Sequence, residues 1–249
     1  MKRIGIIGFG VMGEAFAVGL SRKRPDVEII AFDLKSERIA AARAAMGIEV
    51  ARSAGDVFSA ADVTILCVKP QDFLGFADTV RDSSRNRPVI SIMAGRRIPL
   101  IAEALGTDQV ARFMPNIAAT RGAALIGVAF HQQATPQLRD DALAIAGALG
   151  TGLEIPEKLM SAITGVSGSG IAYVLQFTHA LALGGVAAGF DYRTALAAAV
   201  ATLEGAASLL TEGANPVELL SRVTSPAGTT IQGVRALEKG AFTATVMEA

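Results

Sequence analysis

Gly8-Phe9-Gly10-Val11-Met12-Gly13 is the stretch whose reading decides the fold of this chain. The short apolar run Lys2-Arg3-Ile4-Gly5-Ile6-Ile7 precedes it, and Glu14-Ala15-Phe16-Ala17 opens a helical pattern after it. The order is strand, glycine turn, helix. Gly8 permits the turn, Gly10 lets a phosphate approach the backbone, and Gly13 allows helix and strand to pack closely. The first N–H groups of a helix have no partner within it and carry the positive end of its dipole, so they suit a pyrophosphate. A glycine pattern of this kind in a free loop says little. Between a strand and a helix at the start of the chain it predicts a dinucleotide site formed by Gly8, Phe9, Gly10, Val11, Met12 and Gly13.

Working outward, 28–33 (Glu28-Ile29-Ile30-Ala31-Phe32-Asp33) reads as the second strand and 36–45 as a helix. Asp33 lies about twenty residues past the glycines, where an acid can bond the ribose hydroxyls of NAD. Lys35, Ser36 and Arg38 follow closely and could instead hold the 2′-phosphate of NADP, so NADPH and NADH both stay open. Further strands are expected at 62–68, 88–93, 110–114, 124–130 and 153–155, with a helix over 136–149. Ligands bind beyond strand C-termini in open α/β sheets. Val68, Lys69, Pro70, Ala94, Gly95 and Asn116 are therefore candidate cofactor contacts. The alternation of strand and helix predicts an α/β, Rossmann-like doubly wound sheet over residues 1–156.

Beyond Pro156 no strand is expected. Helices are predicted at 157–164, 170–189, 192–212, 216–223 and 229–240, giving an all-helical dimerisation and substrate domain over 157–249. The stretches 171–190 and 194–211 are long and nearly uncharged, yet built from Ala and Gly and interrupted by Gln176, His179 and Glu204. That favours burial in a tight bundle over a membrane span. So few helical residues cannot cover their own apolar surface, which predicts a second copy of the chain against them.

Apolar residues make up 51% of the chain and charged ones 18%, with 23 basic balancing 23 acidic residues and no charged blocks. A large core is affordable, while nucleic acid and anionic membranes are disfavoured as partners. Cys67 is the only cysteine, so no internal disulfide exists, and it reads as a small core residue. No signal segment is apparent and cytoplasm is the expected compartment. No cluster has metal-ligand spacing, so no metal is expected. His179 reads as a buried or interface residue and His131 as an exposed loop residue.

Several pieces together resemble the pyrroline-5-carboxylate reductases, the family that makes proline. They are the glycine motif, Val68-Lys69-Pro70-Gln71, Ser91-Ile92-Met93-Ala94-Gly95, Met114-Pro115-Asn116, Thr164-Gly165-Val166-Ser167-Gly168-Ser169-Gly170 and Val223-Thr224-Ser225-Pro226-Ala227-Gly228-Thr229-Thr230-Ile231. The resemblance implies reduction of the cyclic imine 1-pyrroline-5-carboxylate with NADPH or NADH, a homodimer through the helical domain, and rings of dimers. It implies that Thr230 hydrogen-bonds near the imine nitrogen and that the loop backbone holds the substrate carboxylate. Thr230 and Ser225 are thus the candidate catalytic residues, and Ser169, Gly170, Gly228, Thr229 and Thr230 the candidate substrate contacts. An ordinary helix cap by Ser225 or Thr229 is the competing reading of that stretch.

Three departures stand out: Ile171 replaces a usual Pro, Ala227 replaces a usual second Gly, and the chain stops at Ala249 where relatives run one helix further. A reductase of a related cyclic imine is one alternative; a β-hydroxyacid dehydrogenase of similar plan is another, but it would need a helical lysine as base, and no Lys occurs between Leu159 and Glu238. A non-catalytic NAD(P)-binding regulator is the alternative from another class.

Overall fold

The computed structural model describes residues 1–35, 37–210 and 213–249. The helix start expected at Ser36, and its suggested phosphate contact, lie outside the described residues, as do Thr211 and the helix end expected at Glu212. The chain forms two units, Met1–Gly168 and Ser169–Ala249.

The first unit is built on an eight-stranded sheet of order β3-β2-β1-β4-β5-β6-β7-β8. Strand β1 (Arg3–Ile7) lies between β2 (Glu28–Phe32) and β4 (Val63–Leu66), parallel to both. The chain runs one way from β1 to β2 and β3 (Glu49–Val50). It then returns past β1 through β4 to β5 (Val89–Ser91) and β6 (Val110–Met114). The order reverses between β1 and β4, and the glycine turn sits at that switch point.

Short amphipathic helices not delimited in the sequence fill the crossovers: α3 (Ala54–Ala60), α4 (Phe73–Ser84) and α5 (Ile98–Leu105), alongside α1 (Val11–Lys23) and α2 (Glu37–Met46). Ser53 caps α3 by accepting from Asp56 N at 3.1 Å, and Pro99 in the first turn of α5 suits a helix start. Two apolar layers result. One packs Ile4, Ile6, Phe16, Leu20 and Phe113 on the α1 face; the other packs Phe58, Leu66, Phe73 and Ile101 on the opposite face.

Strand β7 (Ala124–Phe130) corrects the expectation of parallel crossovers throughout, because it runs antiparallel to β6. Its link to β6 holds only a 3₁₀ turn (Ile117–Arg121), too short for the crossover a parallel pair needs. The last strand, β8, spans Gly150–Glu154 rather than 153–155, directly after α6 (Pro136–Leu149). Gly150 makes that abrupt change possible. Its φ is 153°, and a Cβ there would collide with the backbone of Ala124 on β7.

The segment expected as one helix over 157–164 is a 3₁₀ turn (Glu157–Leu159), then α7 (Met160–Ile163), then a π-helical turn (Thr164–Ser169). Residues 165–169, left between the helices expected at 157–164 and 170–189, are therefore helical.

The second unit contains α8 (Gly170–Ala187), α9 (Tyr192–Leu210), α10 (Pro216–Val223), α11 (Thr229–Lys239) and α12 (Phe242–Glu248). Helices α8 and α9 meet through small residues. Ala182, Ala195 and Ala199 are buried together, and a Cβ on Gly185 would stand 2.9 Å from that of Ala195. Within one chain α8 buries only Thr178 and Ala182, so one chain alone does not supply the tight bundle expected around it. Leu175, Phe177, Leu181 and Phe190 face outward. The helical run Glu157–Ala187 is long and apolar enough to cross a membrane. His179 is likewise exposed, with Nδ1 3.0 Å from the Tyr192 hydroxyl.

Candidate functional site

The glycine turn is held open from below. Gly8 has φ 92°, donates its N–H to Phe32 O at 2.8 Å, and would drive a Cβ into Cys67 O at 2.6 Å. Gly13 lies so close to Gly8 that a Cβ would overlap the Gly8 carbonyl oxygen. Gly10, by contrast, faces empty space, with no atom within 4 Å of a built Cβ. It is the N-cap of α1, and no side chain caps that helix. The N–H groups of Val11, Met12 and Gly13 therefore remain for an outside acceptor. This is a cradle that fits a dinucleotide pyrophosphate.

Asp33 closes one side of the turn. Its Oδ2 accepts from Phe9 N at 2.6 Å and its Oδ1 from Lys35 N at 2.8 Å, while Arg38 Nη1 stands 3.8 Å away. The carboxylate thus ties the end of β2 to the glycine turn, a structural task that sequence position alone did not reveal. Arg38 stays half-exposed.

The turns after β4 and β5 share the C-terminal edge of the sheet. Val68 and Lys69 lead into the 3₁₀ turn Pro70–Asp72, and Arg96 Nε donates to Pro70 O at 2.9 Å, joining that turn to Ala94-Gly95. Beside them lies a cavity of about 620 Å³ lined in part by Ala94, Gly95, Arg97, Arg112, Met114 and Glu157. Its wall holds an ion pair between a buried arginine and a part-buried glutamate. Arg112 Nη1 donates to Glu157 Oε1 at 3.2 Å, and the same oxygen accepts from Ile98 N at 2.7 Å at the start of α5. Arg112 Nε is buried without a hydrogen-bond partner among the described residues. Sequence reasoning missed this pair. The available signal was a lone charge inside Val110-Ala111-Arg112-Phe113-Met114, a strand otherwise apolar and wholly buried.

Asn116, after β6, has its side chain engaged within the protein. Nδ2 donates to Ser167 O and Oγ at 3.1 and 2.9 Å, and Oδ1 accepts from Ala118 N at 3.0 Å. Cys67 packs against the core, and burial pushes its thiol above the usual range, which disfavours the thiolate. His131 is part-buried rather than exposed: its Nε2 lies 3.7 Å from Asp108 and its Nδ1 accepts from Gln133 N at 3.2 Å. Among the described residues no group of three or more His, Cys, Asp or Glu could hold a metal ion.

The second unit carries Ser169 in the π turn, Gly170 at the start of α8, and the stretch 225–230. Gly228 N donates to Ser225 O at 3.1 Å, closing a turn with Pro226 and Ala227 at its centre. Ala227 has φ 62°. Proline followed by positive φ is the pattern of a type II turn, which prefers glycine where Ala227 stands. Ala227→Gly is accordingly expected to raise stability by about 0.5–1 kcal/mol, read as a higher Tm in thermal melts. The N-cap of α11 is Gly228, with no side-chain cap. Neither Ser225 nor Thr229 caps the helix, and Thr229 and Thr230 are exposed in its first turn.

Relatives match this arrangement end to end. Residues 157–249 match the family model for pyrroline-5-carboxylate reductase dimerisation, and residues 3–95 that for NADP oxidoreductase coenzyme F420-dependent proteins. The pyrroline-5-carboxylate reductase of Methanosarcina acetivorans is 40% identical over 100% of this chain and 94% of its own. The chain belongs to the pyrroline-5-carboxylate reductase family. The reductase of Aquifex aeolicus is 38% identical over 99% of this chain and 92% of its own. The solved structure of a pyrroline-5-carboxylate reductase from Coxiella burnetii superposes with a TM-score of 0.92 at 28% identity, covering 98% of this chain and 93% of that one. Membership in the reductase family accounts for the two-unit plan and for the open glycine cradle.

Proposed function

We infer that this chain reduces the C=N bond of 1-pyrroline-5-carboxylate to give L-proline, using NADPH or NADH. The uncapped start of α1 at Gly10 carries the reading, in a chain that matches such reductases over its full length. When bound, the cofactor supplies a hydride for the imine carbon. Gly10, Val11, Met12 and Gly13 hold its pyrophosphate through backbone N–H groups, and Asp33, Lys35 and Arg38 surround its ribose end. Val68, Lys69, Pro70, Ala94 and Gly95 line its path along the sheet edge, and Asn116 sets the turn after β6.

A cyclic imine protonates readily near neutral pH, so no strong acid is required of the protein, and positioning supplies much of the rate. The uncapped start of α11 suits a carboxylate for the same reason that α1 suits pyrophosphate. Backbone N–H groups at Thr229 and Thr230 hold the substrate carboxylate, with Gly228 as the N-cap that brings the chain close to it. The Thr230 hydroxyl sits by the imine nitrogen, with Ser225 beside it and Ser169-Gly170 as a further substrate contact. By sequence the chain divides into an NAD(P)-binding domain, 1–156, and a dimerisation and substrate domain, 157–249, of which residues 157–168 belong to the first compact unit.

A second chain covers the outward apolar faces of α8 and α9, and such dimers join into rings. This cover, rather than a bilayer, accounts for the apolar run Glu157–Ala187, in a protein of the cytoplasm. A size measurement separates dimer from ring, and a monomer would refute both.

The deciding assay is oxidation of NADPH or NADH with 1-pyrroline-5-carboxylate, beside a 2-hydroxyacid control. Thr230→Ala should leave NADPH binding and Tm unchanged while losing about 1.5–3 kcal/mol of transition-state stabilisation, the worth of a hydrogen bond to a charged group. Thr230→Val keeps the shape and should lose as much. Full activity in both variants would remove Thr230 from the site.

A further inference from the structure

The clasp between Asn116 and Ser167 joins two of the most distinctive sequence motifs of the first unit, Met114-Pro115-Asn116 and Thr164-Gly165-Val166-Ser167-Gly168. Both residues are buried, each 8% exposed. The orientation of the Asn116 amide is fixed by chemistry. The Ala118 N–H can only meet its oxygen, so both amide hydrogens face Ser167. There they reach Ser167 O and Oγ at 3.1 and 2.9 Å, and Ser167 Oγ passes its own hydrogen to Leu125 O at 3.1 Å, at the start of β7. Each donor in the chain is used. A buried network of this kind holds one arrangement when complete and is costly when one member is missing.

The clasp falls on an unusual piece of backbone. Ser167 lies in a π-helical turn, a geometry often found at functional sites, and the next residues along the chain are Gly168, Ser169 and Gly170. Among the described residues, no other side-chain hydrogen bond ties Thr164–Gly168 to a part of the chain so distant in sequence: Thr164 Oγ1 bonds to Met160 O at 2.7 Å, one turn back. With both amide hydrogens and the carbonyl engaged, Asn116 has little left for a ligand.

We propose that Asn116 and Ser167 are paired positioning residues: Asn116 acts through Ser167, fixing the π turn and so the entry to Ser169-Gly170, and does not bind the cofactor with its side chain. This rests on the reading of those two residues as substrate contacts in an imine reductase.

The test compares Asn116→Ala, Ser167→Ala, their double variant and Ser167→Thr in the full-length protein. NADPH affinity is read by fluorescence titration, kcat and KM with 1-pyrroline-5-carboxylate, Tm by melting, and amide hydrogen exchange at Gly168, Ser169 and Gly170. Each alanine variant should lower kcat about tenfold, as for one lost buried hydrogen bond, with NADPH affinity held within about twofold. The double variant should be no worse than the poorer single, and Ser167→Thr, which restores the hydroxyl, should recover most of the rate. Exchange at the three amides should quicken in both singles. If Asn116→Ala weakens NADPH binding while Ser167→Ala is silent, Asn116 touches the cofactor and the proposal fails. It fails equally if only Tm falls. If the unmodified protein does not reduce the imine, the functional reading is wrong, and the exchange data alone decide whether the clasp holds the turn.

Discussion

Gly13→Ala should cost about 3 kcal/mol of folding stability and abolish NAD(P)H binding, whereas Gly10→Ala should melt like the unmodified protein yet bind the cofactor at least tenfold more weakly. The two glycines lie three residues apart and differ in what surrounds them. A Cβ on Gly13 would overlap the Gly8 carbonyl oxygen, and would stand 3.1 Å from the Gly8 carbonyl carbon and 3.5 Å from Ile6. Gly8 cannot retreat. Its N–H is bonded to Phe32 O, and its own position already leaves only 2.6 Å between a built Cβ and Cys67 O. The overlap must therefore be relieved by moving α1 off β1, and forced overpacking of this kind typically costs about 1–3 kcal/mol, at the upper end against backbone.

A Cβ on Gly10 meets nothing within 4 Å. Its φ of −82° suits any residue, so the fold should not notice the change. The added methyl instead occupies room left for pyrophosphate, and a tenfold loss corresponds to about 1.4 kcal/mol. Thermal melts and a fluorescence titration of NADPH against both variants decide the matter. Equal losses of Tm, or unaltered affinity in Gly10→Ala, would show that the opening at Gly10 is not the phosphate site.

The ion pair of Arg112 and Glu157 gives the second large effect. Glu157→Ala should destabilise the protein by about 3 kcal/mol, the low end of the cost of stranding a buried charge. The Arg112 side chain is only 7% exposed and its Nε already lacks a partner among the described residues, so loss of the carboxylate leaves the guanidinium without its ion partner. The start of α5 also loses the acceptor for Ile98 N. Glu157 itself is 24% exposed beside a cavity, and water there moderates the loss. Arg112→Met removes the charge instead of stranding it, leaves Glu157 bonded to Ile98, and should cost no more than about 1.5 kcal/mol. Urea melts of the two variants test the asymmetry. An Arg112→Met variant as unstable as Glu157→Ala would mean that the pair is net stabilising over a hydrophobic replacement.

The sequence alone determined those features that a few neighbouring residues can enforce. Strand β1, the glycine turn and α1 follow from positive φ at Gly8, the missing Cβ atoms at Gly10 and Gly13, and the apolar periods on either side. A helix starting at Thr229 was legible as well, and so was the apolar character of α8 and α9 in their Ala-rich composition, whereas the absence of a cap from Ser225 or Thr229 was decided by the structure. Tertiary structure decided whatever joins residues far apart in the chain. Local periodicity carries no record that Arg112 meets Glu157 across 45 residues, or that Asn116 meets Ser167 across 51. Asp33 could be placed at the end of β2 from sequence, but its engagement with Phe9 N depends on how β1 and β2 pair. The antiparallel turn into β7 was hidden too, since a strand's residues read alike in either direction and only the short link between β6 and β7 forbids a crossover. Side-chain partners of this kind are selected by packing of the whole sheet, which no local window of sequence contains.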